Sequence, residues 1–306
     1  MLPPGIFLWE TGFEDTILPT SLEDVAGSAS SWREAIDDGA PWSECLEVEG
    51  IGCFRKASIL CESTIVIVNE CTSTMEAAKV LAQNNVLGEW GSVLAVQQTQ
   101  GRGQLRRPWI SSPGNLHASV VLPSLPKQGP WAEGLARLLP LVAGYIFAEA
   151  FSDLGANVQL KWPNDFLQSD RKIGGMLIEE KNDLVILGVG VNLVESPPDE
   201  KMREDRSVPA AVLQMEKPHL GPAPLWGSLV SRGKSVYVVL LDELEPSEFL
   251  SAMTNRLAWL GHRVRIHERE SDVYYADIVG VSPLGGLVIR RDGRESVLFS
   301  GSIAPL

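Results

Sequence analysis

The feature that most constrains the fold begins at Thr64, where segments with the apolar pattern of β-strands alternate with segments that have the apolar pattern of α-helices. The short apolar segments "TIVIVNE" and "GSVLAVQQT" are typical of strands. The segment "STMEAAKVLAQNN" between them has the spacing of apolar residues that predicts a helix. Ser73 or Thr74 would cap this helix, with Glu76 in its first turn. After a loop, "NLHASVVLP" alternates like a strand, and a long apolar helix is expected from Trp131 to Leu154. This order predicts an α/β body.

The two ends of the chain differ from this body in composition and in the pattern of their apolar residues. Residues 1–60 are rich in Pro, Gly, Ser, Asp and Glu, and they predict an irregular N-terminal extension of unassigned role. From about Leu260, short alternating segments such as "VYYADIVGVSP" and "GGLVIRR" are joined by Gly, Pro and Asp turns, which is typical of a small β-barrel. We therefore expect an extension over 1–60, a main body over 61–257 and a β-domain over 258–306.

Charge limits the possible partners of this chain. Its 306 residues carry a formal net charge of −13, which repels the phosphates of nucleic acid at long range. Residues 1–60 also contain no recognisable helix-turn-helix with a basic recognition face. We expect no nucleic-acid partner, and a bound polyanion would be small and held at a local basic site.

The apolar segments predict no membrane partner. The N-terminal sequence lacks a basic leader followed by an apolar run, so no signal peptide is expected. The most apolar long segment contains Glu133, Arg137 and Glu149, which favours a buried helix over a membrane span.

The four cysteines lie in the first quarter of the chain, and no two of them form a C-x-x-C pair. This spacing predicts reduced thiols and no metal site. Reduced cysteines in a chain without a visible signal peptide favour a cytoplasmic location. The residues are Cys45, Cys53, Cys61 and Cys71.

The stretch "QTQGRGQLRRPW" is a short basic loop in an acidic chain. Gly101 and Gly103 allow the backbone to come close to a ligand, and arginine guanidinium groups suit carboxylate or phosphate oxygens. The P-loop pattern G-x-x-x-x-G-K-[ST] is absent. From the residues alone the loop is a phosphate cradle, a nucleic-acid patch or a solvated turn.

Three further polar stretches lie at or beside predicted strand ends. "KWPND" places Lys161 where a strand leaves the sheet, and "GVGVNL" ends another strand in two glycines and Asn192. "RKIGGML" adds Lys172 beside a glycine pair and begins a predicted hairpin, whose polar turn lies around residues 181–183 and leads to "GVGVNL". Strand ends are a common place for functional groups, so these turns and the basic loop predict one convergent site for an anion or a nucleotide.

Together, "STM", "QQTQGRGQLRRPW", "SSPGNLHAS", "KWPND", "RKIGGMLIEE" and "GVGVNL" resemble the biotin–protein ligase family, within the biotin/lipoate A/B protein ligase superfamily. The resemblance covers about residues 64–306 and includes the C-terminal "GVSPLGGLVIRRDGRESVLFSGSI". It implies an α/β (α+β) fold: a mixed sheet flanked by helices, similar to class II aminoacyl-tRNA synthetases, and a small C-terminal SH3-like barrel. No DNA-binding repressor head is expected.

The resemblance implies an ATP-dependent enzyme that forms biotinyl-5′-AMP and transfers biotin to a lysine of a biotin-carrier domain in a carboxylase or decarboxylase. Mg²⁺ would accompany ATP, no metal ligands are assigned, and a homodimer is an open expectation. The expected catalytic residues are Lys161 and Arg102. The expected biotin contacts are Ser73, Thr74, Gln98, Gly101, Arg102, Gly103, Gln104, Lys161 and Gly175. The expected ATP and adenylate contacts are Arg102, Gln104, Arg107, Trp109, Lys161, Asn164, Lys172 and Asn192.

The chain departs from the family pattern at three positions. Gln104 stands where the family has the second arginine of G-R-G-R, and Arg106 where it has a glycine. Met75 follows Ser-Thr where the family often has Asn. A glutamine cannot neutralise phosphate charge, so retention of the adenylate is expected to weaken by about tenfold. Met75 is expected to lose one contact to the ligand.

Two alternative functions remain beside the biotin–protein ligase interpretation. One is a lipoate or octanoate ligase on the same scaffold, although the expected R-R-x-S-G-G-G-type loop is not found. The other is a weakened adenylate-binding protein, which Gln104 and Met75 favour and the intact Lys161 opposes. Asp165 is a candidate for activating the acceptor amine, or a turn-capping residue.

Overall fold

The computed structural model describes residues 1–36, 41–59, 61–104, 107–198, 208–216, 221–268 and 273–306. These residues form two compact units. Unit 1 comprises Met1–Ser124, Met176–Glu195 and Lys217–Arg232, and unit 2 comprises Leu125–Gly175, Ser196–Glu216 and Gly233–Leu306. In chain order the elements are β1 (Gly5–Trp9), α1 (Leu22–Ser28), α2 (Ser30–Ile36), β2 (Leu46–Val48), β3 (Gly52–Lys56), β4 (Thr64–Cys71), α3 (Thr74–Gln83), β5 (Ser92–Gln98), β6 (Leu116–Leu122), α4 (Leu135–Asp153), β7 (Gln159–Lys161), β8 (Asp165–Gln168), β9 (Arg171–Lys181), β10 (Leu184–Val191), α5 (Pro222–Glu243), α6 (Pro246–Thr254), β11 (Arg263–His267), β12 (Val273–Val281), β13 (Leu287–Arg291), β14 (Arg294–Leu298) and β15 (Ser302–Pro305).

Unit 1 is built on a mixed sheet with the strand order β2-β3-β1-β4-β5-β6-β10-β9. The β1–β4 and β4–β5 pairs are parallel, and the β5–β6 and β6–β10 pairs are antiparallel. Helix α3 contacts β5, β6 and β10. It buries Met75, Ala78 and Leu81 in the core, as the helical spacing of its apolar residues requires. The α/β prediction and the mixed sheet are confirmed.

Residues 1–60 correct the prediction of an irregular extension. Strand β1 pairs with β4 along the main sheet, and β3 and β2 extend the sheet outward from it. The segment "GIFLW" is buried along its whole length, and Trp9 stacks on Phe54. The sequence pattern missed β1 because a five-residue, fully buried strand shows no alternation, and this one directly follows two prolines.

The prediction of reduced thiols was wrong for Cys45 and Cys53, which form a disulfide bond with a Cα–Cα distance of 5.6 Å. The β2–β3 register pairs Glu47 with Cys53, so Cys45 and Cys53 lie diagonally on the same face of the hairpin. Glu47 lies beside them, but the disulfide uses both sulfur atoms. Cys61 and Cys71 are free thiols.

Unit 2 holds α4, α6, the strands β7 and β8 with the first part of β9, and a separate antiparallel sheet. That sheet has the order β14-β13-β12-β11-β15, consistent with the predicted SH3-like domain. The boundaries 61–257 and 258–306 stay predictions, because unit 2 takes residues from both ranges. Helix α4 is long and apolar enough to cross a membrane, but 67% of its apolar window is buried within the fold, as expected of a core helix.

The β9–β10 connection is the hairpin that the sequence predicted. Asn182 and Asp183 have φ values of 53° and 61°. Positive φ at both central residues is the requirement of a two-residue type I′ turn, and Asn and Asp tolerate it. The hairpin carries the chain from "RKIGGML" to "GVGVNL".

Candidate functional site

The predicted site residues fall into two groups, one in each unit. Unit 2 holds four of them: Lys161, Asn164, Lys172 and Gly175. Unit 1 holds the other ten: Ser73, Thr74, Gln98, Gly101, Arg102, Gly103, Gln104, Arg107, Trp109 and Asn192.

The first feature of unit 1 is a network of uncharged polar groups at the start of α3. The Thr74 backbone N–H donates to Gln98 Oε1 at 2.9 Å, and the Thr74 hydroxyl also lies within 3.2 Å of that oxygen. Ser73 is the N-cap, and its hydroxyl accepts from the Met75 N–H at 3.3 Å. The helix cap thereby fixes Thr74, and Thr74 fixes the amide at the end of β5.

Two serines that the sequence analysis did not assign complete this network. Ser119 Oγ lies 2.7 Å from Thr74 Oγ1, and Gln98 Nε2 donates to Ser111 Oγ at 3.0 Å. Ser119 is fully buried in β6. A serine within the buried apolar run "LHASVVL" was the available signal, since buried hydroxyl groups need partners.

The two described arms of the basic loop, residues 101–104 and 107–109, are joined by backbone hydrogen bonds. The Gly103 N–H donates to Arg107 O at 2.7 Å, and the Trp109 N–H donates to Gly101 O at 2.8 Å. Gln104 and Arg107 are exposed. Arg106, which stands where the family has a glycine, lies outside the described residues.

Arg102 is held by two carboxylates. Its Nη2 lies 2.6 Å from Glu76 Oε1 and 3.5 Å from Glu179 Oε1. Burial alone would raise the pKa of Glu76, but hydrogen bonds from Arg102 and Lys79 outweigh it and lower that pKa. Arg102 keeps 38% side-chain exposure, so the guanidinium group is both tethered and accessible.

Trp109 and Asn192 lie against the end of the β6–β10 pair. Asn192 follows β10 directly and is 4% exposed. Trp109 packs over Gly190, where an added Cβ would overlap the indole ring. Its Nε1 donates to His117 Nδ1 at 3.3 Å, and His117 is a further residue without a role in the sequence analysis.

Met75 packs inside unit 1. It is 4% exposed and belongs to the core cluster of unit 1. An added Cβ at Gly188 would lie 3.0 Å from the Met75 sulfur, so the thioether fills the space above this glycine. Met75 therefore acts as a packing residue in this chain.

The site group of unit 2 is a carboxylate between two ammonium groups. Lys161 Nζ lies 2.9 Å from Asp165 Oδ2, and Lys172 Nζ lies 2.6 Å from Asp165 Oδ1. The Lys161 side chain is 9% exposed and that of Asp165 is 15% exposed. An added Cβ at Gly175 would lie 3.2 Å from Asp165 Oδ1. The glycine therefore leaves room for the cluster that we name the lysine pair: Lys161, Asp165 and Lys172.

The lysine pair keeps Asp165 ionised. Burial would raise the pKa of this carboxyl group, but the charges of Lys161 and Lys172 and their hydrogen bonds lower it well below its usual range. A carboxylate with so low a pKa is a poor proton acceptor at pH 7. Asp165 therefore orients the two ammonium groups, and its hydrogen bonds to both of them argue against a role as proton acceptor.

Comparisons with known proteins find similar sequences and solved structures. Residues 69–192 match the Biotin/lipoate A/B protein ligase family, and this range contains every predicted site residue. A biotin–[acetyl-CoA-carboxylase] ligase of Paracoccus denitrificans is 27% identical over 218 residues, covering 69% of this chain and 88% of that protein. The bifunctional ligase/repressor BirA of Bacillus subtilis is 35% identical over 135 residues, but this covers only 42% of this chain and 40% of the relative. The biotin protein ligase of Aquifex aeolicus, solved with biotin and ATP, aligns with a TM-score of 0.62 at 26% identity, over 79% of this chain and 97% of that one.

Proposed function

Because this chain belongs to the biotin/lipoate A/B protein ligase family, we propose that it is an ATP-dependent biotin–protein ligase. It activates biotin as biotinyl-5′-AMP and transfers the biotinyl group to a lysine of a carboxylase biotin-carrier domain. One observation carries this proposal: the mostly buried ammonium group of Lys161, oriented by Asp165 and lying within the matched family region.

In the first step, the biotin carboxylate attacks the α-phosphorus of ATP, and pyrophosphate leaves. Negative charge is redistributed over the phosphate oxygens, so a cation already in place lowers the barrier. Lys161 supplies this cation. Its ammonium group is already held in place by the hydrogen bond to Asp165, so it does not have to be ordered during the reaction. Lys172 adds a second positive charge beside the same carboxylate. Asn164 directly precedes Asp165 in the sequence.

The uncharged network of unit 1 binds the biotin head. The bicyclic urea has N–H donors and a carbonyl acceptor, and hydroxyl and amide groups can meet both. Thr74 and Gln98 are fixed by Ser119 and Ser111, so their remaining donor and acceptor positions are preorganised. Ser73 supports the same helix start. Preorganised groups lose little entropy when the ligand binds.

The basic loop and its tryptophan retain the adenylate. Arg102 and Arg107 supply positive charge, Gly101 and Gly103 keep the loop backbone close to the ligand, and Trp109 shields the mixed anhydride from water. Asn192 positions phosphate beside the loop. Gln104 contributes a hydrogen bond without charge, so this chain holds its intermediate less tightly than an arginine variant would.

In the second step, the neutral ε-amino group of the acceptor lysine attacks the biotinyl carbonyl carbon of the anhydride, and AMP leaves. The C–N bond forms as the C–O bond to AMP breaks, and the proton that the amine loses passes to solvent water. Asp165 does not take that proton in this proposal, because Lys161 and Lys172 hold its pKa low.

The lysine pair does not fit a resident Mg²⁺ ion. Mg²⁺ prefers carboxylate and phosphate oxygens and keeps several waters, whereas both oxygens of Asp165 are hydrogen-bonded to ammonium groups. Mg²⁺ therefore enters the proposal as the companion of the ATP phosphates, and no step is routed through it. A cytoplasmic location also belongs to the proposal, although the bonded Cys45 and Cys53 remove one of its supports. The homodimer and the absence of a nucleic-acid partner stay predictions.

A transfer assay tests the proposed function. The purified chain is incubated with ATP, biotin and a carboxylase biotin-carrier domain, and the carrier is analysed by intact-mass spectrometry. The expected result is addition of one biotinyl group, which disappears when ATP is omitted or when the acceptor lysine is replaced by arginine. An unmodified carrier after incubation with folded protein would overturn the proposal.

A further inference from the structure

Trp109 is anchored by a buried histidine. Its indole N–H donates to His117 Nδ1 at 3.3 Å, and His117 Nε2 lies 3.1 Å from the Ser112 carbonyl oxygen. Because Nδ1 accepts a hydrogen bond, we place the ring proton on Nε2, which donates to Ser112 O. Both nitrogens of the imidazole are therefore occupied inside unit 1, and the side chain is 1% exposed.

The environment of His117 keeps the imidazole neutral. Burial lowers the pKa of His117 to about 4, although the hydrogen bond with the Ser112 carbonyl acts in the opposite direction. At pH 7 the ring therefore retains the lone pair on Nδ1 that the indole N–H requires. A ring with both nitrogens bonded and almost no exposure is not placed to exchange protons with a substrate.

The strand register explains why the indole fits beside this histidine. His117 of β6 lies directly opposite Gly190 of β10. Opposite residues of an antiparallel pair face the same side of the sheet, so the missing side chain of Gly190 leaves a gap next to the imidazole. The Trp109 ring fills that gap, since an added Cβ at Gly190 would overlap it.

The anchored ring also fixes one end of the basic loop. The Trp109 backbone N–H donates to Gly101 O at 2.8 Å, so the residue that docks on the sheet also closes the turn. A change that releases the indole would therefore loosen the turn that carries Arg102 and Arg107.

We propose that His117 is a positioning residue for Trp109, and that it holds the basic loop over the acyl-adenylate. This inference rests on the proposed function. His117 touches neither substrate nor reacting atoms in this account; it acts through the indole.

The first test measures release of preformed biotinyl-adenylate. His117→Phe keeps a ring but removes the acceptor, whereas His117→Asn offers Oδ1 near the position of Nδ1. We expect about tenfold faster release in H117F, the size of one lost hydrogen bond, and recovery to within about threefold in H117N. The increase in release rate should exceed any loss in the rate of adenylate formation. The exposed histidine variant His262→Phe is the control and should match the wild type.

A double-mutant cycle separates positioning from packing. Trp109→Phe removes the donor, so H117F should cause little further increase in release when W109F is already present. Fully additive effects would overturn the proposal, as would unchanged release in H117F. Equal defects in H117F and H117N would also overturn it, because they would indicate a packing role.

A second readout needs no activity. Hydrogen exchange of the Trp109 indole N–H, followed by ¹⁵N NMR and assigned through W109F, should be about tenfold faster in H117F. The indole N–H of Trp131, which donates to Leu244 O at 2.9 Å, should not change. Unchanged exchange at Trp109 overturns the anchoring. Normal anchoring in a wild-type chain that forms no adenylate instead overturns the proposed function, and the loop role falls with it.

Discussion

The two groups of site residues solve the problem of buried polarity in different ways. In unit 1, Thr74, Gln98 and Ser119 are joined by hydrogen bonds between uncharged groups. In unit 2, the lysine pair concentrates two positive charges on one carboxylate. Buried uncharged groups need only hydrogen-bond partners, whereas buried charges also need a counter-charge.

The difference matches the chemistry proposed for each group. Uncharged donors and acceptors suit a urea ring whose charge does not change during the reaction, so their contribution is to binding. In the proposed reaction the lysine pair would meet phosphate oxygens, where charge is redistributed in the transition state, so its expected contribution is to rate. Substitutions in the two groups should therefore change different kinetic constants.

The largest expected effect is that of Lys161→Ala. Removing a preorganised cation from a site of charge development should lower kcat for adenylate formation by about 10²–10³-fold. Stopped-flow or steady-state assays of pyrophosphate release measure this loss of kcat. Lys181→Ala, which removes an exposed lysine at the end of β9, is the matched control and should keep full activity. A comparable loss in both variants would contradict the assignment.

Asp165→Asn should be the next most damaging change, and it tests the lysine pair as a unit. The two ammonium groups lose their shared counter-charge, which we expect to cost about 3 kcal/mol of folding stability. Adenylation should also fall, by about tenfold or more, because Lys161 is no longer oriented. Urea denaturation combined with kinetics measures both effects. Full stability with full activity would show that the carboxylate has neither role.

The pH dependence of stability follows from the same carboxylate. Its folded-state pKa is lowered, so its stabilising contribution is present above the unfolded value of about 3.9 and is lost as pH falls below it. The difference in unfolding free energy between wild type and D165N should therefore be constant from about pH 7 to 5 and shrink below about pH 4. A difference that grows on acidification would contradict the ion pairs.

Thr74→Val should have a smaller effect and a different kinetic signature. The variant keeps the shape but loses the hydroxyl that contacts Gln98 and Ser119. We expect KM for biotin to rise by about tenfold, with a much smaller change in kcat. Thr254→Val, in helix α6, removes a hydroxyl that bonds only within its own helix and should leave KM unchanged. A Thr74→Val variant that loses kcat instead would break the contrast between the two groups.

The smallest expected effect is a gain. Gln104→Arg restores a positive charge to the basic loop, and retention of the adenylate should improve by about threefold to tenfold. A chase experiment on preformed intermediate measures its half-life, and the exposed residue Gln83 provides the control variant Gln83→Arg. Equal retention in wild type and Q104R would show that charge at this position has no part in holding the intermediate.

Local pattern was sufficient to predict much of the fold. The spacing in "STMEAAKVLAQNN" predicted α3 with Ser73 as its cap, and the polar turn after "IEEK" predicted the β9–β10 hairpin. Both features depend on contacts within a few residues, and for that reason they can be read from sequence. The motifs likewise located Lys161 and the basic loop.

The sequence did not predict the side-chain contacts that depend on the tertiary fold or on strand register. Nothing near Arg102 indicates that it pairs with Glu76, and nothing near Trp109 indicates that it docks between His117 and Gly190. The Cys45–Cys53 bond depends in the same way on the β2–β3 register. The first two contacts join segments distant in the chain, and the disulfide requires one particular hairpin register, so composition and periodicity specify none of them.

The most direct test of the central claim is ATP–pyrophosphate exchange by the purified chain with biotin, lipoate, octanoate or no acid. We expect exchange that depends on biotin, is weak or absent with the other acids, and is lost in Lys161→Ala. Faster exchange with lipoate or octanoate would mean that the uncharged network of unit 1 selects a different acyl group. No exchange with any acid, from folded protein that binds ATP, would contradict the assignment of the lysine pair to adenylation.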